Sequence, residues 1–312
     1  MEETKKEGMA SVIAALVANI LVAISKFVGF ILSGSTAMMN ESIHSVIDCG
    51  NQILLLVGDR KAHHQASDRH PFGEARAKYF YSTIVAMMLF FAGGALGIME
   101  AVEKLSSPGE HGVENAGVVL GILVFGMIVE GSSLRVAFKE IAKLNKEKLP
   151  LIRFLKESRH SEILIIFAED SCAVVGLVLA LLGTILTMVT DNAMFDALSG
   201  LLIGIMLCLA ALFLAREFYS LLIGESVTDA DLATIRKSFD RKEVKHLIDI
   251  KTIHLSATDI MVTAKIEVDT EWLPEASVVI NDIERQIRSS IPDYKIYIYI
   301  ETDKYLEDYH RE

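Results

Sequence analysis

The sequence predicts an α-helical membrane protein with six transmembrane helices, followed by a small α+β domain. Hydrophobic residues make up 52% of its 312 positions, and they form blocks of the roughly 20 residues needed to cross a bilayer. From Glu225 onward the composition is polar and acidic, with 19 Asp and Glu against 12 Lys and Arg. We therefore assign a six-helix transmembrane domain to residues 1–225 and an α+β domain to residues 226–312.

Six apolar blocks define the predicted spans. The first block follows a start of mixed charge and is too long for the apolar core of a cleavable signal, so we interpret it as a span. Allowing a few residues at each end, the spans cover 9–32, 36–57, 79–99, 116–137, 163–189 and 194–215.

The distribution of basic residues predicts the orientation. Lys and Arg concentrate in the connections after spans two and four, whereas the opposite connections carry only Lys104. Basic loops stay in the cytoplasm, and an even number of spans places both termini on the same side. We predict a multi-pass protein of the plasma (inner) membrane with cytoplasmic termini. The acidic tail argues against nucleic acid as a partner.

Residues after 225 follow the periodicities of a small sandwich. They predict a helix at 228–239, strands at 247–255 and 259–268, a helix at 274–290 and a strand at 295–301. This order predicts one sheet with helices on one face. So short a domain is marginal alone, and pairing with a second copy would stabilise it. The predicted core residues are Ile260, Val262, Ala264, Ile266 and Val268 on a strand, Ile280, Ile283 and Ile287 on a helix, and Ile296, Ile298 and Ile300 on the last strand.

Ionisable residues inside the predicted spans carry the functional signal. His44 and Asp48 are four residues apart in span two, so they share one helical face and form half of a divalent metal site. Glu169 and Asp170 in span five offer carboxylates at a comparable depth. Each such group costs about 2.5–3.5 kcal/mol to insert, so it is rarely kept without a use. A buried network of hydrogen bonds between helices is the alternative. Further ionisable residues in the spans include Lys26, Glu41, Glu130 and Asp196.

This ligand chemistry suggests exchange of a metal for protons. An imidazole with carboxylates suits Zn²⁺, Fe²⁺, Mn²⁺ or Co²⁺, and metal binding displaces protons from such groups. One site can therefore alternate between the two cations. We expect no bound cofactor, since the metal would be cargo. The cysteines, none of them in a CxxC pair, indicate neither a disulfide framework nor a zinc knuckle; they are Cys49, Cys172 and Cys208.

The chain resembles the cation diffusion facilitator family, and in particular the branch with a Glu-Asp pair in the fifth span. The resemblance rests on GSTAMMNESIHSVIDCGNQ at 34–52, HPFGEARAKYFY at 70–81 and EDSCAVVGLVLALLG at 169–183. It implies six spans, a ferredoxin-like cytoplasmic tail (αββαβ) and a homodimer. It also implies export of a divalent metal, Zn²⁺ first, from the cytoplasm in exchange for protons by alternating access.

The resemblance also implies the ligands of the transport site, which pairs residues four apart in spans two and five. His44 and Asp48 match the first pair, and Asp170 matches the second residue of the other pair. The remaining position falls on Ile166, which cannot coordinate a metal. The ligand that replaces it is left open among Glu169, Asn40, Glu41 and water.

Members of the family often have a second metal site in the loop after span two. Its candidates here are His63, His64, Asp68, His70 and Glu74, with a solvated His-rich loop as the alternative. The resemblance further implies that Arg76 pairs with an acid near the end of span six, for which Glu225 is a candidate.

In the tail, the positions that bind metal in several relatives are mostly lost. Lys265 and Ala276 stand where histidine can occur, and Asp303 remains. Further candidate ligands are Glu301, His254 and Asp259. We therefore expect the tail to dimerise, with metal binding weak or absent.

The sequence leaves two other functions to consider. A non-transporting metal sensor or scaffold is kept open by Ile166. An intramembrane metalloenzyme is not expected, since HxxxD lacks the HExxH pattern. Gly93, Gly94 and Gly97 predict close helix contact in span three.

Overall fold

The computed structural model describes residues 2–62, 64, 66–106, 115–145, 148–157 and 161–307. The chain divides into two compact units, of which the first holds residues 1–62 and 77–219 and the second holds 63–76 and 220–312. The loop at 63–76 thus belongs with the C-terminal unit, although it lies within the range 1–225 drawn from the sequence. The domain boundary after Glu225 stays a prediction.

The first unit is built from helices. A π-helical stretch, Leu89–Ala95, joins its third and fourth helices, so residues 77–106 continue as one helical segment. The α-helices are α1 Glu2–Ser33, α2 Thr36–Ala62, α3 Ala77–Met88, α4 Leu96–Ser106, α5 Ala116–Leu144, α6 Leu151–Glu157, α7 Ser161–Thr190 and α8 Met194–Ile223.

Four helical segments among the described residues are long and apolar enough to cross a membrane: Ala77–Ser106, Gly117–Leu144, Ile163–Thr190 and Met194–Ile223. In α1 the described apolar part is the shorter segment Asn19–Ser33. Helix α2 is not among the four, because the polar residues of NESIHSVIDCGNQ occupy its middle. The first two predicted spans are therefore helices in the structure, and their crossing of a membrane stays a prediction.

The turn between α1 and α2 is fixed by Asp196, one of the ionisable residues noted in the sequence. Gly34 ends α1 in the left-handed region at φ +61°, which glycine adopts without strain. The Asp196 carboxylate accepts hydrogen bonds from Ser35 Oγ at 2.5 Å and from Thr36 N at 2.7 Å. Lys104 Nζ lies 3.5 Å from the same carboxylate. Asp196 therefore has a structural role at the N-terminus of α2.

Close helix contact at the span-three glycines is confirmed at two of the three positions. A Cβ added at Gly94 would overlap Cys208 Sγ, and one at Gly97 would lie 2.7 Å from Asn40 Oδ1. At Gly93 the nearest atoms would lie at an ordinary contact distance of 3.4 Å. Gly94 and Gly97 thus allow this segment to approach α8 and α2.

The second unit contains a three-stranded sheet with helices, in the predicted order helix, strand, strand, helix, strand. Strand β1 pairs with β2 antiparallel, and β2 pairs with β3 in parallel, so β2 is central. Pro274 lies in a 3₁₀ turn, Thr270–Glu275, and the second helix begins just after it. The elements are α9 Asp229–Lys237, β1 Val244–His254, β2 Asp259–Val268, α10 Ala276–Ser290 and β3 Lys295–Thr302.

The core of this unit follows the predicted alternation along β2. Ile260, Val262, Ala264, Ile266 and Val268 are buried, and the residues between them are half-buried. This is the pattern of a strand with one face on the core.

The helical side of the core differs from the prediction by one residue. Val279, Ile283 and Ile287 form the buried stripe of α10, and Ile280 is only half-buried. A spacing of four residues keeps these three on one face, and Ile280 lies about 100° away from Val279. On β3, Ile296 and Ile298 are buried as predicted, whereas Ile300 is half-buried.

The loop at 63–76 is held by contacts within the second unit. Arg76 Nη2 donates a hydrogen bond to the His254 carbonyl at 3.1 Å, and Phe72 packs edge-on against Tyr297 with ring centroids 5.2 Å apart. The amide of His254 donates to the Glu225 carbonyl at 2.8 Å. Arg76 and Glu225 therefore both contact the backbone of His254, and their direct pairing stays a prediction.

Candidate metal site

The central face of α2 carries the predicted half-site. His44 is fully buried and Asp48 is 9% exposed, and His44 Nδ1 lies 3.5 Å from Asp48 Oδ1. One helical turn brings the imidazole and the carboxylate together, as the i, i+4 spacing predicts. Neither ring nitrogen of His44, nor Asp48 Oδ1, has a hydrogen-bond partner among the described residues. Buried polar atoms without partners are costly, so these atoms are suited to receive a cation or a proton.

The two acids of α7 face different neighbours. Asn51 of α2 donates a hydrogen bond to Glu169 Oε1, whereas Ser133 of α5 donates to Asp170 Oδ2 at 2.8 Å. Adjacent residues differ by about 100° around a helix, which separates the two side chains in this way. Glu169 is therefore the α7 acid that contacts α2 directly.

A cavity of about 440 Å³ brings the predicted acids together. Asp48, Glu169 and Asp170 all line it, so carboxylates of α2 and α7 share one space. Ile166 also lines this cavity and is 41% exposed. The resemblance implies a metal ligand at position 166, and the structure places the apolar side chain of Ile166 in the cavity wall there. His44 is not among the described residues of the cavity wall, and it lies 3.5 Å from Asp48, which is.

The ligands do not converge on one point in this conformation. In the part of the chain that the structure describes, no three His, Cys, Asp or Glu side chains are placed closely enough to hold one metal ion. Coordination of one metal ion by all of these residues would require their side chains, or the helices that carry them, to move.

A buried ion network beside the cavity was not predicted. Lys26 Nζ of α1 donates a hydrogen bond to Glu41 Oε2 of α2 at 3.0 Å and lies 3.7 Å from Glu130 Oε1 of α5. Gly176 of α7 leaves room for it, since a Cβ there would overlap Glu41 Oε1. The sequence signal was the presence of ionisable residues in three spans. Their pairing could not be read from it, because it depends on which helical faces meet.

Two members of the second candidate site approach each other. His64 Nδ1 lies 3.7 Å from Glu74 Oε1, whereas Asp68 and His70 are exposed. His63 lies outside the described residues. Metal binding by this loop stays a prediction.

In the tail, Lys265 lies between the two carboxylates at the end of β3. Its Nζ is 3.0 Å from Asp303 Oδ2 and 3.5 Å from Glu301 Oε1. The hydrogen bond to Asp303 raises the pKa of Lys265, and the same bond lowers the pKa of Asp303. A single ammonium group therefore already pairs with both acids and cancels one of their two charges. The expectation that the tail binds metal weakly or not at all stays a prediction.

The other two tail candidates are engaged locally. The imidazole of His254 lies with Nδ1 3.0 Å from the Ser256 carbonyl. The Asp259 carboxylate accepts a hydrogen bond from Thr258 Oγ1 at 3.1 Å and lies 3.9 Å from Lys295 Nζ.

Comparison with protein-family models identifies both parts of the chain. The Cation efflux transmembrane domain matches residues 12–223, and the Cation efflux protein, cytoplasmic domain, matches residues 227–303. Together these ranges include every predicted ligand in the spans, the loop and the tail.

Individual proteins are similar over most of the chain. Proton-coupled zinc antiporter SLC30A9, mitochondrial, of Homo sapiens is 26% identical over 279 residues, which are 89% of this chain and 49% of that protein. Metal tolerance protein C4 of Arabidopsis thaliana is 29% identical over 240 residues, 76% of this chain and 52% of that one. Uncharacterized transporter YdbO of Bacillus subtilis is 24% identical over 316 residues, 97% and 99% of the two chains.

The chain spans about half the length of the human and Arabidopsis relatives. The family resemblance seen in the sequence is confirmed, because the transmembrane model alone matches well over half of the chain. The protein belongs to the cation diffusion facilitator (cation efflux) family.

Proposed function

We propose that the protein is a membrane antiporter that exports a divalent metal from the cytoplasm in exchange for protons. Zn²⁺ is the first candidate, with Fe²⁺, Mn²⁺ and Co²⁺ as alternatives. The observation that carries the proposal is the shared cavity, where Asp48 of α2 meets Glu169 and Asp170 of α7. The family and the names of the human and Arabidopsis relatives support the same substrate class.

The side chains suit a cation that must both enter and leave. Asp48 and Asp170 supply negative charge, His44 adds a nitrogen ligand that suits Zn²⁺ over Mg²⁺ or Ca²⁺, and Glu169 is the additional acid. Because the same atoms bind protons, protons arriving from the opposite side can displace the metal. In alternating access the site stays near the middle of the membrane while the helices move around it. Such a movement would also gather the ligands, which are not convergent in this conformation.

The proposed arrangement in the membrane has six spans. α1 and α2 join the four apolar helical segments as spans, and the placement of basic loops puts both termini in the cytoplasm. The second unit then forms a ferredoxin-like cytoplasmic domain that pairs with a second copy in a homodimer, consistent with its match to the family's cytoplasmic domain. The plasma membrane stays a prediction, since the name of the human relative refers to mitochondria.

Flux in proteoliposomes tests the function. With protein in the membrane and an opposed pH gradient, Zn²⁺ should cross at a rate that collapses when the gradient is removed. Asp48→Asn keeps the shape of the side chain but removes its charge, and we expect it to abolish flux. Asp191→Asn is the matched control, since Asp191 lies in an exposed turn at φ 50° where asparagine is equally tolerated.

A metal sensor or scaffold without transport is the second candidate function. It is favoured by Ile166 in the cavity wall and by the dispersed ligands. Binding of Zn²⁺ to the purified protein, without flux of any of the four metals, would support it over the antiporter.

A further inference from the structure

The cavity between α2 and α7 is also lined by a carboxylate of a third helix. Glu130 of α5 is 7% exposed and lines the same space as Asp48, Glu169 and Asp170. None of the described residues that line it is basic. The wall therefore carries an excess of acidic side chains, an arrangement that favours entry of cations.

The ion pair between Glu130 and its counterion Lys26 is long and therefore weak. Lys26 Nζ donates a hydrogen bond to Glu41 at 3.0 Å, whereas its distance to Glu130 is 3.7 Å, too long for a hydrogen bond. The close pair of Lys26 and Glu41 is already neutral. The charge of Glu130 is therefore the surplus one in this network, and its side chain is the member that can leave at least cost.

A second observation points to a ligand in this space. Asp48 lines the cavity, and its Oδ1 has no hydrogen-bond partner among the described residues although the residue is 9% exposed. A buried carboxylate oxygen in this state is stabilised by an added cation. Ile166 contributes no ligand from α7, and Glu169 is held by a hydrogen bond from Asn51, so the set formed by α2 and α7 leaves a place for one more donor.

We propose that Glu130 supplies this donor as a third-helix ligand of the transported cation. Lys26 is its internal counterion while the cavity is empty. When a divalent ion enters, Glu130 turns from Lys26 toward Asp48 and Asp170, and Lys26 keeps its hydrogen bond to Glu41, so no buried ammonium is left alone. The inference rests on the proposed function and deepens it, since it names a ligand outside α2 and α7.

The first test compares initial rates of Zn²⁺ uptake by the full chain in proteoliposomes. Glu130→Gln should raise the KM for Zn²⁺ about tenfold or more, because a charged ligand is lost, with a smaller change in maximal rate. Glu140→Gln is the matched control on the same helix; Glu140 is half-exposed, and its Oε1 lies 2.6 Å from Lys143 Nζ. A wild-type KM in folded Glu130→Gln would overturn the proposal.

A second test predicts a change of the KM for Zn²⁺ in the opposite direction, a decrease. The double variant Lys26→Met with Glu41→Gln removes the counterion and its closest partner together, so neither Lys26 nor Glu41 is left as a lone charge, and Glu130 loses its counterion. Glu130 is then free to face the cavity, and the KM for Zn²⁺ should fall severalfold. An unchanged or raised KM would overturn the role of Lys26.

The triple variant covers the case in which Glu130→Gln alone does not fold. It adds Glu130→Gln to the double variant, which leaves this network without charge. Its KM should exceed that of the double variant about tenfold or more, and equal values would overturn the role of Glu130.

Equilibrium dialysis of Zn²⁺ against the purified proteins separates this inference from the antiporter proposal. If the wild-type protein transports Zn²⁺ and Glu130→Gln binds it with unchanged affinity, only the proposal that Glu130 is a ligand is overturned. If the wild-type protein binds Zn²⁺ without transporting it, the antiporter proposal is overturned. The Zn²⁺ affinities of the wild type and Glu130→Gln then still decide whether Glu130 is a ligand. If the wild-type protein binds no Zn²⁺, both the antiporter proposal and the Glu130 proposal are overturned.

Discussion

At Asp48, one carboxylate oxygen lies 3.5 Å from the ring of His44 and has no hydrogen-bond partner among the described residues. On α7, Ile166 lines the same cavity with an apolar side chain. The chemistry of the cavity is therefore weighted toward oxygen ligands, with one nearby imidazole. Oxygen-rich sets discriminate poorly among Zn²⁺, Mn²⁺ and Fe²⁺.

Adding an imidazole at Ile166 should sharpen the selectivity. We expect Ile166→His to increase the preference for Zn²⁺ over Mn²⁺ about tenfold, which corresponds to about 1.4 kcal/mol. Competition between the two metals in a proteoliposome uptake assay measures the change, and Ile166→Leu is the control for altered packing. An unchanged preference in Ile166→His would mean that the cation does not pass near this residue.

Gly176 is required by the buried ion pair rather than by a turn. A Cβ at this position would overlap Glu41 Oε1. Glutamate is flexible in general, but here its other oxygen is held by Lys26 at 3.0 Å, so moving it weakens the pair. Gly176→Ala should lower the unfolding temperature in detergent, at a cost of about 1–3 kcal/mol.

Gly121→Ala is the control for Gly176→Ala. Gly121 lies in α5, and nothing lies within 4 Å of a Cβ built there, so alanine should be neutral or stabilising through its helix propensity. Equal unfolding temperatures for the two variants would contradict the account of Gly176.

At the scale of elements, the sequence was most informative where periodicity alone decides the structure. The alternation of β2 predicted its buried face, and the i, i+4 spacing predicted the contact of His44 with Asp48. Each depends only on the geometry of one element. The stripe of α10 was predicted one residue off, because Val279 and Ile280 are both apolar and only packing against the sheet selects Val279.

Contacts between helices were much harder to predict. Nothing in the sequence paired Lys26 with Glu41 and Glu130, since helices in lipid can be apolar on every face. The same limit applies to Glu169 and Asp170. Their adjacency was visible, but which of them faces α2 depends on the rotation of α7 in the bundle.

The pairing of β2 with β3 gives the tail a pH-dependent contact. Asp303 has a lowered pKa because Lys265 donates a hydrogen bond to it. The pair therefore stabilises the folded tail above the ordinary pKa of aspartate, and this contribution is lost as the pH falls through the lowered value. The pKa of Lys265 is raised. The stabilisation by the pair is therefore also lost when the pH rises through the raised pKa of Lys265.

Removing the ammonium group should release the Asp303 carboxyl. In Lys265→Met the pKa of Asp303 should rise toward its ordinary value, which a carboxyl ¹³C NMR titration of the full chain measures. Lys251→Met is the control, because Lys251 is exposed and lies 3.5 Å from Asp249 instead. A low Asp303 pKa that persists in Lys265→Met would assign the shift to the Lys304 amide, which also donates to this carboxylate.

For the whole molecule, the proposed orientation makes a prediction about labelling from outside the cell. In a background without Cys49, Cys172 and Cys208, a membrane-impermeant maleimide should modify Asn192→Cys in intact cells. It should reach Lys242→Cys only after lysis. Both residues are exposed, the first in the turn between α7 and α8 and the second in the second unit. The reverse pattern would place the tail outside and contradict export from the cytoplasm.

The hydrogen bond between Lys26 and Glu41 has a consequence for biogenesis. The two residues lie on either side of the turn at Gly34, so the pair closes within one helical hairpin. In the proposed six-span arrangement, inserting either charge alone would cost its helix about 2.5–3.5 kcal/mol, whereas the bonded pair would enter with its charges cancelled. Helix α2, too polar to be stable in lipid by itself, would therefore leave the translocon together with α1 as a single inserting unit.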